Sequence, residues 1–147
     1  MNDVSSAASS KAAFDPAAEG WEAVTTTAFG TQVGPIWRKE EGDRLRFGLV
    51  VAPKHLNRAG NLHGGMLMTL ADQSMAMTAR KATGNKNHAT IELNIQFVGV
   101  VRLGDFVEVH AKVVRATRSV VFMQAKMFVD GRTVVATNGI WKIIGEP

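Results

Sequence analysis

Asn57-Arg58-Ala59-Gly60-Asn61-Leu62-His63-Gly64-Gly65 runs straight into Met66-Leu67-Met68-Thr69-Leu70-Ala71-Asp72, and this stretch decides how the chain reads. A His-Gly-Gly step at the start of a helix leaves backbone N–H groups uncovered by side chains. Such groups suit a polarised carbonyl oxygen. Asp72 is the one carboxylate in the apolar run that follows. A lone carboxylate among apolar neighbours is costly without a role. Donors and a carboxylate together are the minimum equipment for attack on an acyl group.

The helix is predicted over about Leu62 to Thr83. Met66, Leu67, Leu70, Ala71, Met75, Ala76 and Met77 cover most of its circumference, so it is expected to be buried on more than one side. Thr83-Gly84-Asn85 is its stop signal. On its N-terminal side, Trp21 to Phe29 reads as a short helix or turn. Strand signals follow at 31–39 and at Arg44–Val51, where Leu45, Phe47 and Leu49 alternate with Arg44, Arg46 and Gly48. Everything after the helix reads as strand. Ile91, Leu93, Ile95 and Phe97 alternate with Thr90, Glu92, Asn94 and Gln96. Val107, Val109, Ala111 and Val113 alternate with Glu108, His110 and Lys112, and Val121 to Val129 repeat the pattern. Asp130-Gly131 is a two-residue hairpin turn leading to a last strand over about Thr133–Ile144. Strands, one long helix, then an antiparallel meander predict an α+β fold in which a curved sheet wraps the helix.

Length and composition bound the rest. At 147 residues, 46% hydrophobic and 20% charged, the chain fits one globular domain. Residues 1–19 are Ala/Ser-rich and are expected to be a flexible N-terminal leader, with the domain over 20–147. No apolar run of about 18 residues predicts a membrane span. The N-terminus lacks a basic start and apolar core, so the cytoplasm is the expected compartment. Cys 0 removes disulfides, thiolate metal sites and a cysteine nucleophile. A net charge of +4 without a basic block does not favour nucleic acid. His55, His63, His88 and His110 have no metal-ligand spacing, so no metal is expected.

Asn57, Gly60, His63-Gly64-Gly65, helix Asp72 and Thr90 in this order resemble the hotdog-fold acyl-CoA thioesterases. The subgroup is the one related to the phenylacetic-acid-pathway thioesterase. The resemblance covers about residues 40–143. It implies a hotdog fold, an antiparallel sheet around one long central helix. It also implies hydrolysis of an acyl-CoA to free acid and CoA without a cofactor. The family's roles fall on Asp72 as general base or nucleophile and on Gly64 as carbonyl-polarising N–H. Asn57 positions water, and Thr90 supports Asp72. A homodimer whose sheets join, often paired again into a tetramer, is implied as well.

Several residues carry a plainer reading beside the functional one. Asn57 reads equally as a turn residue, Thr90 as an ordinary strand residue, and Gly64 and Gly65 as turn formers. His63 lies nine residues before Asp72, on the opposite face if both are helical, which favours a structural or carbonyl-orienting role. Gly65, Arg118 and Ser119 are candidate substrate contacts, the last two at a turn near the CoA phosphates in similar enzymes; a charged turn is the alternative. A non-catalytic acyl-CoA binding module and an enoyl-CoA hydratase on the same fold are the rival functions. Aromatic and medium-chain acyl groups both suit a pocket of Met, Leu and Phe.

Overall fold

A computed structural model describes residues 12–24 and 27–146. Among the described residues, seven strands form one antiparallel sheet: β1 (Glu22–Ala23), β2 (Ile36–Glu41), β3 (Arg44–Val50), β4 (Asn87–Phe97), β5 (Phe106–Ala116), β6 (Val120–Val129) and β7 (Arg132–Gly145). Their spatial order is β1-β2-β3-β5-β6-β7-β4. A short helix, α1 (Ala28–Val33), precedes β2, and the long helix α2 (Gly64–Ala82) joins β3 to β4. This is the expected α+β hotdog arrangement, with α2 packed against β3, β4, β5, β6 and β7.

The alternating strands do what their pattern dictates. Val107 and Val109 of β5, Val121, Met123 and Met127 of β6, and Trp141 of β7 are buried on the face that meets α2. Leu70, Ala71, Met75 and Ala79 fill the matching side of the helix and have no exposed surface. At roughly 25 cal/mol per Å² of apolar area, burial of each large side chain stabilises the fold by about 1.5–3 kcal/mol. The β6–β7 hairpin turns on Asp130 (φ 49°) and Gly131 (φ 76°), the paired positive φ that its two-residue loop requires. Among the described residues no helix is long and apolar enough to cross a membrane.

Four expectations need correction. The strand expected over 31–39 begins only at Ile36. Thr31–Val33 complete α1, where the Gly34 N–H closes on the Gly30 carbonyl at 2.8 Å. The helix or turn expected over Trp21–Phe29 is divided: Glu22–Ala23 pair with β2, and helix begins at Ala28. The long helix starts at Gly64, because Leu62 is held outside it by a 2.8 Å bond from its N–H to the Val101 carbonyl. Finally, α2 is not buried on more than one side within one chain. Met66, Leu67, Leu70, Ala71, Met75 and Ala79 form one buried stripe, while Met68 is exposed and Asp72 and Ala76 are half-buried.

Residues 1–11 of the expected leader lie outside the described residues. Within 12–19, Phe14 already stacks on Phe106 at 4.4 Å between ring centroids. Packing of the domain therefore extends at least as far back as Phe14.

Candidate functional site

The loop entering α2 is built by its own side chains. Asn57 Oδ1 accepts from the N–H groups of Ala59 (2.9 Å) and Asn61 (3.1 Å), and the Asn57 N–H donates to the Asn61 carbonyl (2.8 Å). The carbonyl end of this amide is thus spent on the turn, as its plainer reading has it. The amide nitrogen has no partner among the described residues.

His55 anchors the loop from below. It is buried, its Nδ1 accepts from the Ala52 N–H (2.9 Å), and its Nε2 lies 2.7 Å from the Val33 carbonyl. A carbonyl only accepts, so Nε2 carries the proton and the ring is neutral. Burial holds the His55 pKa below 6.5, outweighing the favourable carbonyl contact. The His55 carbonyl in turn accepts from the His63 N–H at 2.9 Å. Spacing alone gave His55 no role; the signal for it is the fold that brings Val33 and His63 to it.

His63 is the N-cap of α2, with extended backbone (φ −64°, ψ 134°). Its Nδ1 accepts the Gly65 N–H at 2.8 Å. Two expectations change here. His63 is not helical, so the opposite-face argument does not apply to it. Gly65 is not free to contact a substrate through its N–H, because His63 already holds it. The Gly64 N–H, first in the helix, has no acceptor among the described residues. The positive end of the helix dipole lies behind it. A Cβ on Gly64 would sit 3.2 Å from Cζ of Phe97, so the Phe97 ring flanks this donor. Phe97, read from sequence as one more apolar strand position, is 52% exposed and belongs to the site's wall.

Asp72 lies two turns further along α2, on the flank next to β4. Thr90 Oγ1 donates to Asp72 Oδ1 at 2.6 Å, a charge-assisted contact between helix and strand. The structure therefore unites Asp72 with Thr90, and the Gly64 donor with His63 and Phe97. It does not unite the two groups. Eight helical residues separate Gly64 from Asp72 by about 12 Å. Phe97 and Thr90 stand at opposite ends of β4, whose outer edge pairs with no other strand among the described residues.

Arg118 and Ser119 occupy the exposed β5–β6 turn. Thr117 Oγ1 accepts the Val120 N–H (3.0 Å), and the Ser119 carbonyl accepts the Ile143 N–H (2.8 Å). Ile143 pairs with His88 and Trp141 with Thr90, so this turn lies at the Asp72 end of the sheet, roughly 12 Å from Thr90. A concavity of about 1300 Å³ lies elsewhere among the described residues; Arg44, Lys112, Lys126 and Asn138 are among its lining residues, and none of the expected site residues is. No cluster of metal-ligating side chains occurs among the described residues.

Comparison with known proteins follows the same lines. The sequence profile of the Thioesterase superfamily matches residues 59–136. A Pseudomonas aeruginosa protein provisionally named an esterase is 31% identical over 113 residues, which cover 76% of this chain and 84% of that protein. A Bacillus halodurans protein solved with CoA superposes with a TM-score of 0.71 at 25% identity, covering 83% of this chain and 82% of the other. The PaaI protein of the E. coli phenylacetic acid degradation operon superposes with a TM-score of 0.73 at 20% identity, covering 82% and 87%.

Proposed function

Since the chain belongs to the thioesterase superfamily, a family of thioester hydrolases, we propose that it cleaves aromatic or medium-chain acyl-CoA to the free acid and CoA. The observation that carries this reading is the Thr90–Asp72 contact beside an unpaired edge strand, with the Gly64 donor displaced to that strand's far end. CoA bound to a protein of the same fold supports the choice of thiol.

The site is shared between two copies of the chain. If two β4 edges pair antiparallel about a two-fold axis, the Thr90 end of one strand lies against the Phe97 end of the other. Asp72 of one subunit then faces the Gly64 N–H of its partner, and two half-sites become two sites. The exposed Ile91 and Phe97 become covered in the same step. A further pairing of dimers into a tetramer is part of this proposal.

The chemistry follows from the parts. The thioester carbonyl oxygen docks on the Gly64 N–H, where the helix dipole favours its developing negative charge. Asp72 either takes a proton from water or attacks the carbonyl carbon itself. Thr90 holds the carboxylate in one orientation, and the free amide nitrogen of Asn57 helps place the water. The tetrahedral intermediate collapses with loss of CoA thiolate, giving the free acid directly when water attacks, or a mixed anhydride on Asp72 that water then cleaves to the acid when Asp72 attacks. Arg118 contacts the nucleotide phosphates, with Ser119 beside it on the turn. The reaction runs in the cytoplasm and draws on no cofactor.

Release of free thiol from a panel of aromatic and aliphatic acyl-CoAs tests the reading. Turnover of phenylacetyl-type or medium-chain esters, with little on acetyl-CoA, is expected. Tight binding of these esters without thiol release would replace hydrolysis by a binding function. Hydration of enoyl-CoA with the thioester intact would replace it by a hydratase.

A further inference from the structure

The position of Thr90 is not what its strand pattern dictates. Strict alternation from Leu93 and Ile95 places Thr90 with Glu92 and Asn94, on the face away from α2. On β7, Trp141 and Thr137 are buried toward the helix, and their partners share their face. Ile95 pairs with Thr137, Leu93 with Gly139 and Glu92 with Ile140, in regular order. Thr90, however, pairs with Trp141. Ile91 has no partner, and the register shifts between Thr90 and Glu92. This one-residue bulge turns Thr90 through the sheet to the helix side. Without it Oγ1 could not reach Asp72.

The bulge needs room, and Gly139 supplies it. A Cβ at this position would stand 2.6 Å from the Glu92 carbonyl oxygen and 2.7 Å from Cζ3 of Trp141. The first of these is backbone at the bulge itself, and the second is a fully buried ring. The carbonyl oxygen cannot move without displacing β4. The backbone of Gly139 does not have positive φ, so the requirement is for space alone.

We propose that Gly139 is a positioning residue for the hydrolysis: it admits the bulge at Ile91, which turns Thr90 inward onto Asp72. The proposal rests on the reading of Asp72 as the reacting carboxylate. Gly139 touches no substrate and acts through Thr90.

Five variants test it. Thr90→Val is expected to lower kcat by about 10- to 100-fold with KM little changed, as for loss of orientation at a reacting group. Gly139→Ala should fold and lose the same factor, again in kcat. The double variant should be no slower than either single one, because both remove one contact. Deleting Ile91 leaves Thr90 opposite Trp141 by ordinary alternation. That deletion should therefore keep turnover within about 10-fold of wild type and restore it to Gly139→Ala. Wild-type kcat in Gly139→Ala, or losses that multiply in the double variant, would overturn the proposal. Should Gly139→Ala be too unstable to assay, the deletion decides, read on protein confirmed as a dimer because Ile91 lies on the pairing edge: turnover kept supports the proposal, and a fall to the Thr90→Val level in that dimer overturns it. A crystal structure of Gly139→Ala separates this idea from the functional reading. Thr90 out of reach of Asp72 supports the bulge mechanism even if Asp72→Asn proves active, and an unmoved Thr90 refutes it.

Discussion

Mixing two dead variants tests the shared site most directly. Asp72→Ala removes the carboxylate, and Gly64→Pro removes the donor N–H. Proline suits position 64 for two reasons. It is the first residue of α2, where no intrahelical N–H bond is lost. The preceding His63, at φ −64° and ψ 134°, already has the extended backbone that a following proline demands. A built Cβ stands 3.2 Å from the Phe97 ring, so a shift of a few tenths of an ångström accommodates it. Each parent should retain about 1% of wild-type turnover or less, from loss of a general base or of an oxyanion donor. Refolding an equal mixture gives about half heterodimers, each with one intact site and one doubly defective site. About one quarter of the wild-type sites should therefore return, roughly 25-fold above either parent. Thiol release is the assay, with the heterodimer confirmed by differently tagged chains. If both groups acted within one chain, every site in the mixture would lack one of them. Confirmed heterodimers with no more than parental activity would refute the two-chain geometry.

Asp72→Asn should lower kcat by at least about 100-fold while leaving the melting temperature near wild type, because Asp72 is half-buried and outside the packed stripe of α2. Arg118→Ala should weaken CoA esters by about 1–3 kcal/mol in kcat/KM and spare acyl thioesters that lack the nucleotide; equal losses on both would remove Arg118 from the phosphate site. Stability should fall as pH drops below about 6.5. The pKa values of His55 and His88 are both depressed by burial in the folded chain, so the unfolded chain binds more protons in that range. This stabilisation is complete above pH 6.5 and lost on acidification toward the depressed values. Urea midpoints at pH 7.5 and 5.5 measure it, and His55→Gln should leave only the part carried by His88; an unchanged slope in that variant would discharge His55.

The amphipathic strands from Leu93 onward, the Asp130-Gly131 turn and the apolar run of α2 were legible in the chain itself. Each rests on local periodicity and backbone preference, which act between near neighbours. Asp72 and Gly64 stand out in the chain as candidates on the same footing, since a lone carboxylate in an apolar helix and a bare helix start are features of composition. Three things were decided only by tertiary structure. The Gly65 N–H is taken up by the His63 ring folding back onto it, a rotamer choice that no spacing encodes. Val33 closed a helix rather than opening a strand, and its carbonyl meets His55 across 22 residues of chain. Thr90 faces Asp72 because Ile91 has no partner on β7 and Gly139 leaves room for it to bulge. A period-two pattern assigns faces only while pairing stays in step. Where it slips is set by steric fit between residues about fifty positions apart in the chain, and that fit exists only once the sheet has formed.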